Sequence, residues 1–225
     1  MPGLRIMTFY DGAYFKSGQV WFRYKDNRGW FSIPKLHGLL EKYVAQKAKE
    51  PLKPTKVVGA HYYDGRGSVQ AIEPDQVKAD RRFELALIQG GVVSHSLPVR
   101  ETPKVGPASD DRQFNLAQKD IDVQYALDVL DDAHTNRCDV AVLVTGDADF
   151  VPLVRKITSI GKHALIGHFQ IDPWTDSSGQ NHRGTFCSRD LLDGASWSLN
   201  FNHLGKDRDW KEDVENLFFQ PKAKE

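Results

Sequence analysis

Along residues 4–168, short apolar runs alternate with stretches whose apolar positions recur every three to four residues, which is the pattern of strands interleaved with amphipathic helices. Residues 4–10 (LRIMTFY) form an apolar, β-rich run that stops at Asp11-Gly12, a turn signal, and read as a first, buried strand. The aromatic stretch 14–31, broken by Ser17-Gly18 and again at 27–29, reads as a hairpin or ordered loop. Between residues 33 and 49, Ile33, Leu36, Leu39, Leu40, Tyr43 and Val44 keep helical spacing, with Pro34 in the first turn where its missing N–H does no harm. Pro51 and Pro54 end that helix. Residues 56–63 (KVVGAHYY) predict a second strand closed by a turn at 64–67, residues 74–88 a helix ended by Gly90-Gly91, and residues 92–95 a short third strand. The stretch 98–112, with three prolines and mixed charge, reads as a loop.

Residues 119–135 place Ile121, Tyr125, Leu127, Val129 and Leu130 in an amphipathic pattern, and 139–145 (DVAVLVT) is the clearest buried strand of the chain. A helix opening at Asp149 turns Val151, Leu153, Val154 and Ile157 inward and ends at Gly161, and 163–168 (HALIGH) supplies another strand. Residues 170–184 read as a polar loop, and 191–204 as one more helix or strand. The segment ENLFFQ at 215–220 is similar to a protease-cleavage tag but has Phe218 where such a tag has Tyr, and it is read as native. This alternation predicts an α/β fold: a mainly parallel sheet covered by helices on both faces. The expected organisation is one domain over 1–170, with 171–225 an extension packed on it.

Thirty basic and thirty acidic side chains cancel, so the whole chain offers no field to gather a polyanion, and nucleic-acid contact would have to be local. Arg81, Arg82, Arg100, Lys104, Lys119, Arg155, Lys156 and Lys162 are candidate phosphate contacts, although short charge groups are more often solvated faces. Tyr14, Phe15, Trp21, Phe22, Tyr24, Trp30 and Phe31 follow Asp11 closely and would either stack unpaired bases or pack a hairpin onto the sheet. Cys138 and Cys187 lack metal or redox spacing, the eight histidines are scattered, and no phosphate-cradling Gly-rich loop occurs. No run approaches a membrane span, so a soluble, cytoplasmic protein in a reducing compartment is expected.

The candidate chemistry lies in aspartates. In open α/β sheets, ligands bind outside the carboxyl ends of the strands. Asp11 follows the first strand, Asp147 and Asp149 follow the strand ending at Thr145, and Asp122 falls near the start of the preceding helix. Each alone has an ordinary explanation as a turn residue, an N-cap or a first-turn acid. Together they would repel one another unless a cation neutralised them, which points to a hard divalent ion, Mg²⁺ or Mn²⁺, and to metal-assisted phosphodiester hydrolysis.

MTFYDGAYF, KDIDVQYALDVL and VAVLVTGDADFVPLVRKITSIGKHALIG resemble the three motifs of the NYN domain, the PIN-like family that includes the LabA-type proteins. The resemblance spans about residues 4–168, and its third motif is highly specific. It implies a PIN-like, Rossmannoid nuclease domain and a metal-dependent ribonuclease, an endoribonuclease acting on RNA, with single-stranded RNA the expected substrate from the aromatic segment. It places the catalytic and metal-binding set on Asp11, Asp122, Asp147 and Asp149, with Thr145 as hydroxyl neighbour and Asp128 as a further acidic position. Many relatives carry Asn three residues after the first Asp where this chain has Tyr14, and the Gly common after the motif's Lys is Asp120. That departure leaves a catalytically weak binding or regulatory module as the alternative. A haloacid-dehalogenase-type phosphatase would need a second Asp where Ala13 stands, and a toprim-type site a Glu in place of Asp11.

Overall fold

The computed structural model describes residues 3–49, 54–66, 74–98 and 111–219. Five parallel strands, β1 (Leu4–Asp11), β2 (Thr55–Arg66), β3 (Val92–Pro98), β4 (Val140–Val144) and β5 (His163–His168), build most of the central sheet. A small antiparallel hairpin follows, β6 (Trp174–Thr175) with β7 (Asn181–His182), and then β8 (Trp197–Asn200) returns to pair parallel with β5. The sheet order is β3-β2-β1-β4-β5-β8. All five residues of β4 are buried, because helices cover both faces and leave no place for the polar alternation of a half-exposed strand.

One face carries α1 (Gly12–Tyr24), α2 (Ile33–Lys47) and α3 (Pro74–Gln89), which feed Phe15, Phe22, Ile33, Leu36, Leu40, Val44 and Leu87 into a core with Ile6, Tyr10 and Val142. The other carries α4 (Asp111–His134), α5 (Val151–Ser159) and α6 (Arg189–Gly194), which bury Ile121, Tyr125, Val129, Leu153, Val154, Ile157 and Leu191 against Phe9, Leu143 and Ile166. After β8, α7 (Phe201–Leu204), a 3₁₀ turn and α8 (Lys211–Asn216) return to the first face, where Leu199, Phe201, Trp210 and Val214 join its core. The α/β fold with helices on both faces is therefore as expected.

Three expectations change. The aromatic stretch after Asp11 is not a hairpin or loop: it is helix α1 through Tyr24. Its buried residues, Phe15, Gly18, Gln19 and Phe22, fall at helical spacing, and Asp11 caps the helix instead of ending a turn. Gly18 does not break it, because the ring of Phe169 lies so close that a Cβ there would sit 2.4 Å from the ring. The helix expected from residue 119 begins at Asp111, so Asp122 lies mid-helix rather than in a first turn. Finally, β2 continues through 64–66 and β3 to Pro98, and the polar stretch 170–184 carries the β6–β7 hairpin. Residues 99–110 of the expected loop lie outside the described residues.

The last segment is integral to the fold. Phe218 is buried against Phe22 and Phe31, at centroid distances of 5.4 and 5.2 Å, and bridges to Phe31 through the backbone. Phe31 and Phe201 both contact Phe169, which is fully buried where β5 ends. A chain cut after residue 173 would therefore uncover the edge of β5 and the apolar face that Leu199, Phe201, Trp210 and Phe218 cover. It is expected to lose cooperative thermal unfolding, as followed by circular dichroism; a truncated chain melting like the full one would contradict this packing.

Candidate active site

At the C-terminal ends of the strands, the connection from β1 turns toward the β3 edge of the sheet and that from β4 toward the β8 edge, so the boundary between these neighbouring strands is the topological switch point, the usual place for a ligand crevice. Tyr10 pairs with Val144 across it, which sets Asp11, the last residue of β1, level with Thr145. The Asp11 carboxylate has two jobs there. Its Oδ1 accepts from the backbone N–H of Tyr14 at 3.1 Å, capping α1, and its Oδ2 accepts from the Thr145 hydroxyl at 3.0 Å. The same Thr145 oxygen accepts from the Asp147 N–H at 3.3 Å, and Asp147 Oδ1 accepts from the Asp149 N–H at 2.9 Å. That last bond caps a single 3₁₀ turn, Ala148–Phe150, ahead of α5. The capping explanation for these aspartates thus holds, yet each carboxylate oxygen keeps a lone pair to spare.

Asp122 arrives from the opposite side. A 24-residue helix spans about 36 Å at its rise per residue, more than β1 at roughly 26 Å, so α4 overhangs the sheet and its middle meets the strand ends. Tyr125 fixes the level: its hydroxyl donates to the Phe9 carbonyl at 3.1 Å, two residues before Asp11. Asp122, one turn earlier on α4, is raised to that same edge.

The electrostatics reflect the gathering. Burial pushes the Asp11 carboxyl up to about 6, opposed by its bonds from Tyr14 and Thr145 and reinforced by Asp147 and Asp64. Burial also raises Asp122 to about 7, and Asp11, Asp147 and Asp149 all push it further in that direction. The Asp122 carboxyl thus feels the three aspartates at the strand ends, and the Asp11 carboxyl feels Asp147 and Asp64. Among the described residues, no three His, Cys, Asp or Glu side chains close into a ready-made ion cage. The donor set is nonetheless oxygen alone, and Mg²⁺ or Mn²⁺ needs only one or two direct carboxylates while keeping several waters, so this chemistry fits such an ion.

Asp64 is the residue that sequence reasoning missed. It follows Tyr63, the β2 partner of Asp11, so it reaches the same edge, and its charge is felt at Asp11. The signal was present, because Asp64-Gly65 follows an apolar run as Asp11-Gly12 does, but it was read only as a turn.

The remaining candidates scatter. Asp128 faces another cluster: it accepts from the Tyr63 hydroxyl at 2.9 Å and lies 4.0 Å from His95, whose ring meets His61 at 2.9 Å. Tyr14 is not a free stacking face, since its hydroxyl accepts from the Phe169 N–H and donates to the Phe169 carbonyl, at 3.0 and 3.2 Å. Phe15, Phe22 and Phe31 are core, while Tyr24 closes the far end of α1, about 20 Å of helix from Asp11, and the Trp30 ring lies 6.4 Å from it. Stacking by that segment is therefore overturned. Lys162 pairs with Asp139, which also binds Arg5 near the start of β1, at the opposite end of the strands from Asp11. Arg81, Arg155 and Lys156 are exposed on helices; Arg100 and Lys104, and the side chains of Arg82 and Lys119, lie outside the described residues.

A second segment closes against the site. Gly146, between Thr145 and Asp147, is wedged between the Tyr14 ring and the Phe186 carbonyl: a Cβ would sit 2.5 and 2.2 Å from them. The Ser188 N–H donates to the Gly146 carbonyl at 2.9 Å. Residues 184–188 thus run beside the turn that carries Asp147.

A family profile, described as the NYN domain, matches residues 5–173. No curated protein and no solved structure matches the chain.

The raised carboxyls set a pH dependence for the cation-free protein. Asp11 and Asp122 bind protons more tightly folded than unfolded, so the stability they contribute is full below about pH 4 and is lost as pH rises through about 6 and 7. In chelator, the melting temperature is expected to fall from pH 5 to pH 8, and to fall less in Asp122→Asn. Identical slopes in the two proteins would contradict the electrostatic reading.

Proposed function

The chain belongs to the NYN domain family, a PIN-like nuclease fold, and on that premise we propose that it is a ribonuclease using Mg²⁺ or Mn²⁺ held by Asp11, Asp122, Asp147 and Asp149. The observation that carries this reading is the convergence of these carboxylates at the switch point: Thr145 bonds both Asp11 and the Asp147 N–H, Asp147 caps the turn that bears Asp149, and Asp122 feels the charge of all three. Carboxylates gathered in this way are relieved either by protons or by a cation, and near neutral pH the cation is the more effective. When bound, the ion supplies Lewis acidity toward the phosphate and an acidified water.

The chain's own residues prepare that place. Thr145 donates its hydroxyl to the Asp11 carboxylate and accepts from the Asp147 N–H, so one side chain ties a carboxylate of β1 to the backbone that carries Asp147. The 3₁₀ turn then points Asp149 onward from Asp147. Tyr125, tied to Phe9 and packed at 4.7 Å on Phe150, fixes α4 and with it the level of Asp122. RNA is the substrate class that the family implies, cleaved internally. Cys138 and Cys187 are free thiols, which fits a cytoplasmic setting, and no helix among the described residues is long and apolar enough to cross a membrane.

A second reading, a binding module with weak turnover, is favoured by one observation: Tyr14, in the place where many relatives have Asn, has its hydroxyl committed to Phe169 and offers no amide to a substrate. Cleavage of end-labelled RNA with Mn²⁺ separates the two. The ribonuclease reading expects cation-dependent internal cuts that Asp147→Asn reduces about a hundred-fold or more, with folding intact. Binding without cleavage in the wild type would favour the module.

A further inference from the structure

The overturned stacking role of the residues after Asp11 leaves the site without an aromatic contact from α1, but the segment after the hairpin provides one. Ile171 and Thr185 exchange backbone hydrogen bonds at 2.9 and 2.8 Å, closing the base of the β6–β7 hairpin. Ile171 is buried, and Trp174 packs on the same core while its ring stacks on His182 at 4.1 Å. His182 pairs with Asp176 at 2.9 Å, and Asp176 also accepts from the N–H groups of Ser178 and Gln180. A polar 15-residue excursion is thereby made rigid. On its far side, Ser188 is bonded to Gly146.

Phe186 lies between these two anchors. Its backbone is pinned on both sides, its ring lies over Gly184, and its carbonyl touches Gly146, yet the residue is 49% exposed. An aromatic ring is thus left half-exposed on a backbone fixed at both sides, in the segment that runs beside the turn carrying Asp147. Arg183, three residues earlier, is exposed and forms no ion pair among the described residues. We propose that Phe186 is a stacking platform that holds an unpaired base of single-stranded RNA beside residues 145–149, with Arg183 contacting the adjoining phosphate. Every base offers a π face, so the contact would favour unpaired strands without selecting sequence, and a duplex, whose bases are already stacked, could not use it. The proposal rests on the ribonuclease reading above and adds the residues that would distinguish unpaired from paired strands.

The test uses the full chain carrying Asp147→Asn, so that RNA is bound without being cut, and a short single-stranded RNA containing 2-aminopurine. Binding is expected to change the 2-aminopurine fluorescence. Adding Phe186→Ala should abolish that change and weaken single-strand binding about ten-fold, leaving affinity for a matched duplex unaltered. Phe186→Trp, which keeps a π face, should restore both signals and so separates loss of stacking from loss of fold. If the parent binds RNA and Phe186→Ala binds the single strand equally well, or loses strand and duplex alike, the platform is refuted while the ribonuclease reading stands. If the parent binds no RNA, both fall.

Discussion

The hydrogen bond from Thr145 to Asp11 is the interaction on which the site depends. It spans the two strands at which the sheet's winding reverses, and it lies in a buried setting where a carboxylate is costly to keep charged. Everything else is arranged around that cost. Two backbone caps orient Asp11 and Asp147, α4 delivers Asp122 to the same edge, and Asp64 adds a further negative charge. A fold that bears this repulsion gains nothing from it in the absence of a positive ligand. Gathering the carboxylates at this edge therefore costs stability that only protons or a cation restore.

Much of the fold was legible because its strands and helices carry clean periods. The continuous run VAVLV could only be a strand covered on both faces, and α2 buries every apolar residue that its spacing nominated. The placement of the candidate aspartates was legible for a different reason: Asp11, Asp147 and Asp149 follow such runs directly, and topology converts that position in the chain into a position in space.

What escaped was tertiary in origin. Helix α1 was hidden because its aromatics and Gly18 imitate a hairpin, and only the Phe169 ring, distant in sequence, explains the glycine. Asp122 looked like a first-turn residue because the turns before it carry weak apolar periodicity, and the helix length that lifts it to the strand ends could not be read locally. Asp64 was mistaken for punctuation, and Phe186 sat unnoticed beyond a polar stretch whose hairpin depends on Asp176, Trp174 and His182 meeting in space. Tyr14, conversely, drew attention as a departure in the motif, and its ring and hydroxyl serve to join α1 to the end of β5.

The central claim is that these carboxylates share one cation. Anomalous diffraction from crystals grown with Mn²⁺ tests it most directly, because the signal reports the metal's position without assuming any activity. A single strong peak, or a close pair, is expected among Asp11, Asp122, Asp147 and Asp149, absent from crystals of Asp11→Asn grown alongside. Peaks confined to other surfaces, with these four side chains bonded only to water and protein, would contradict it.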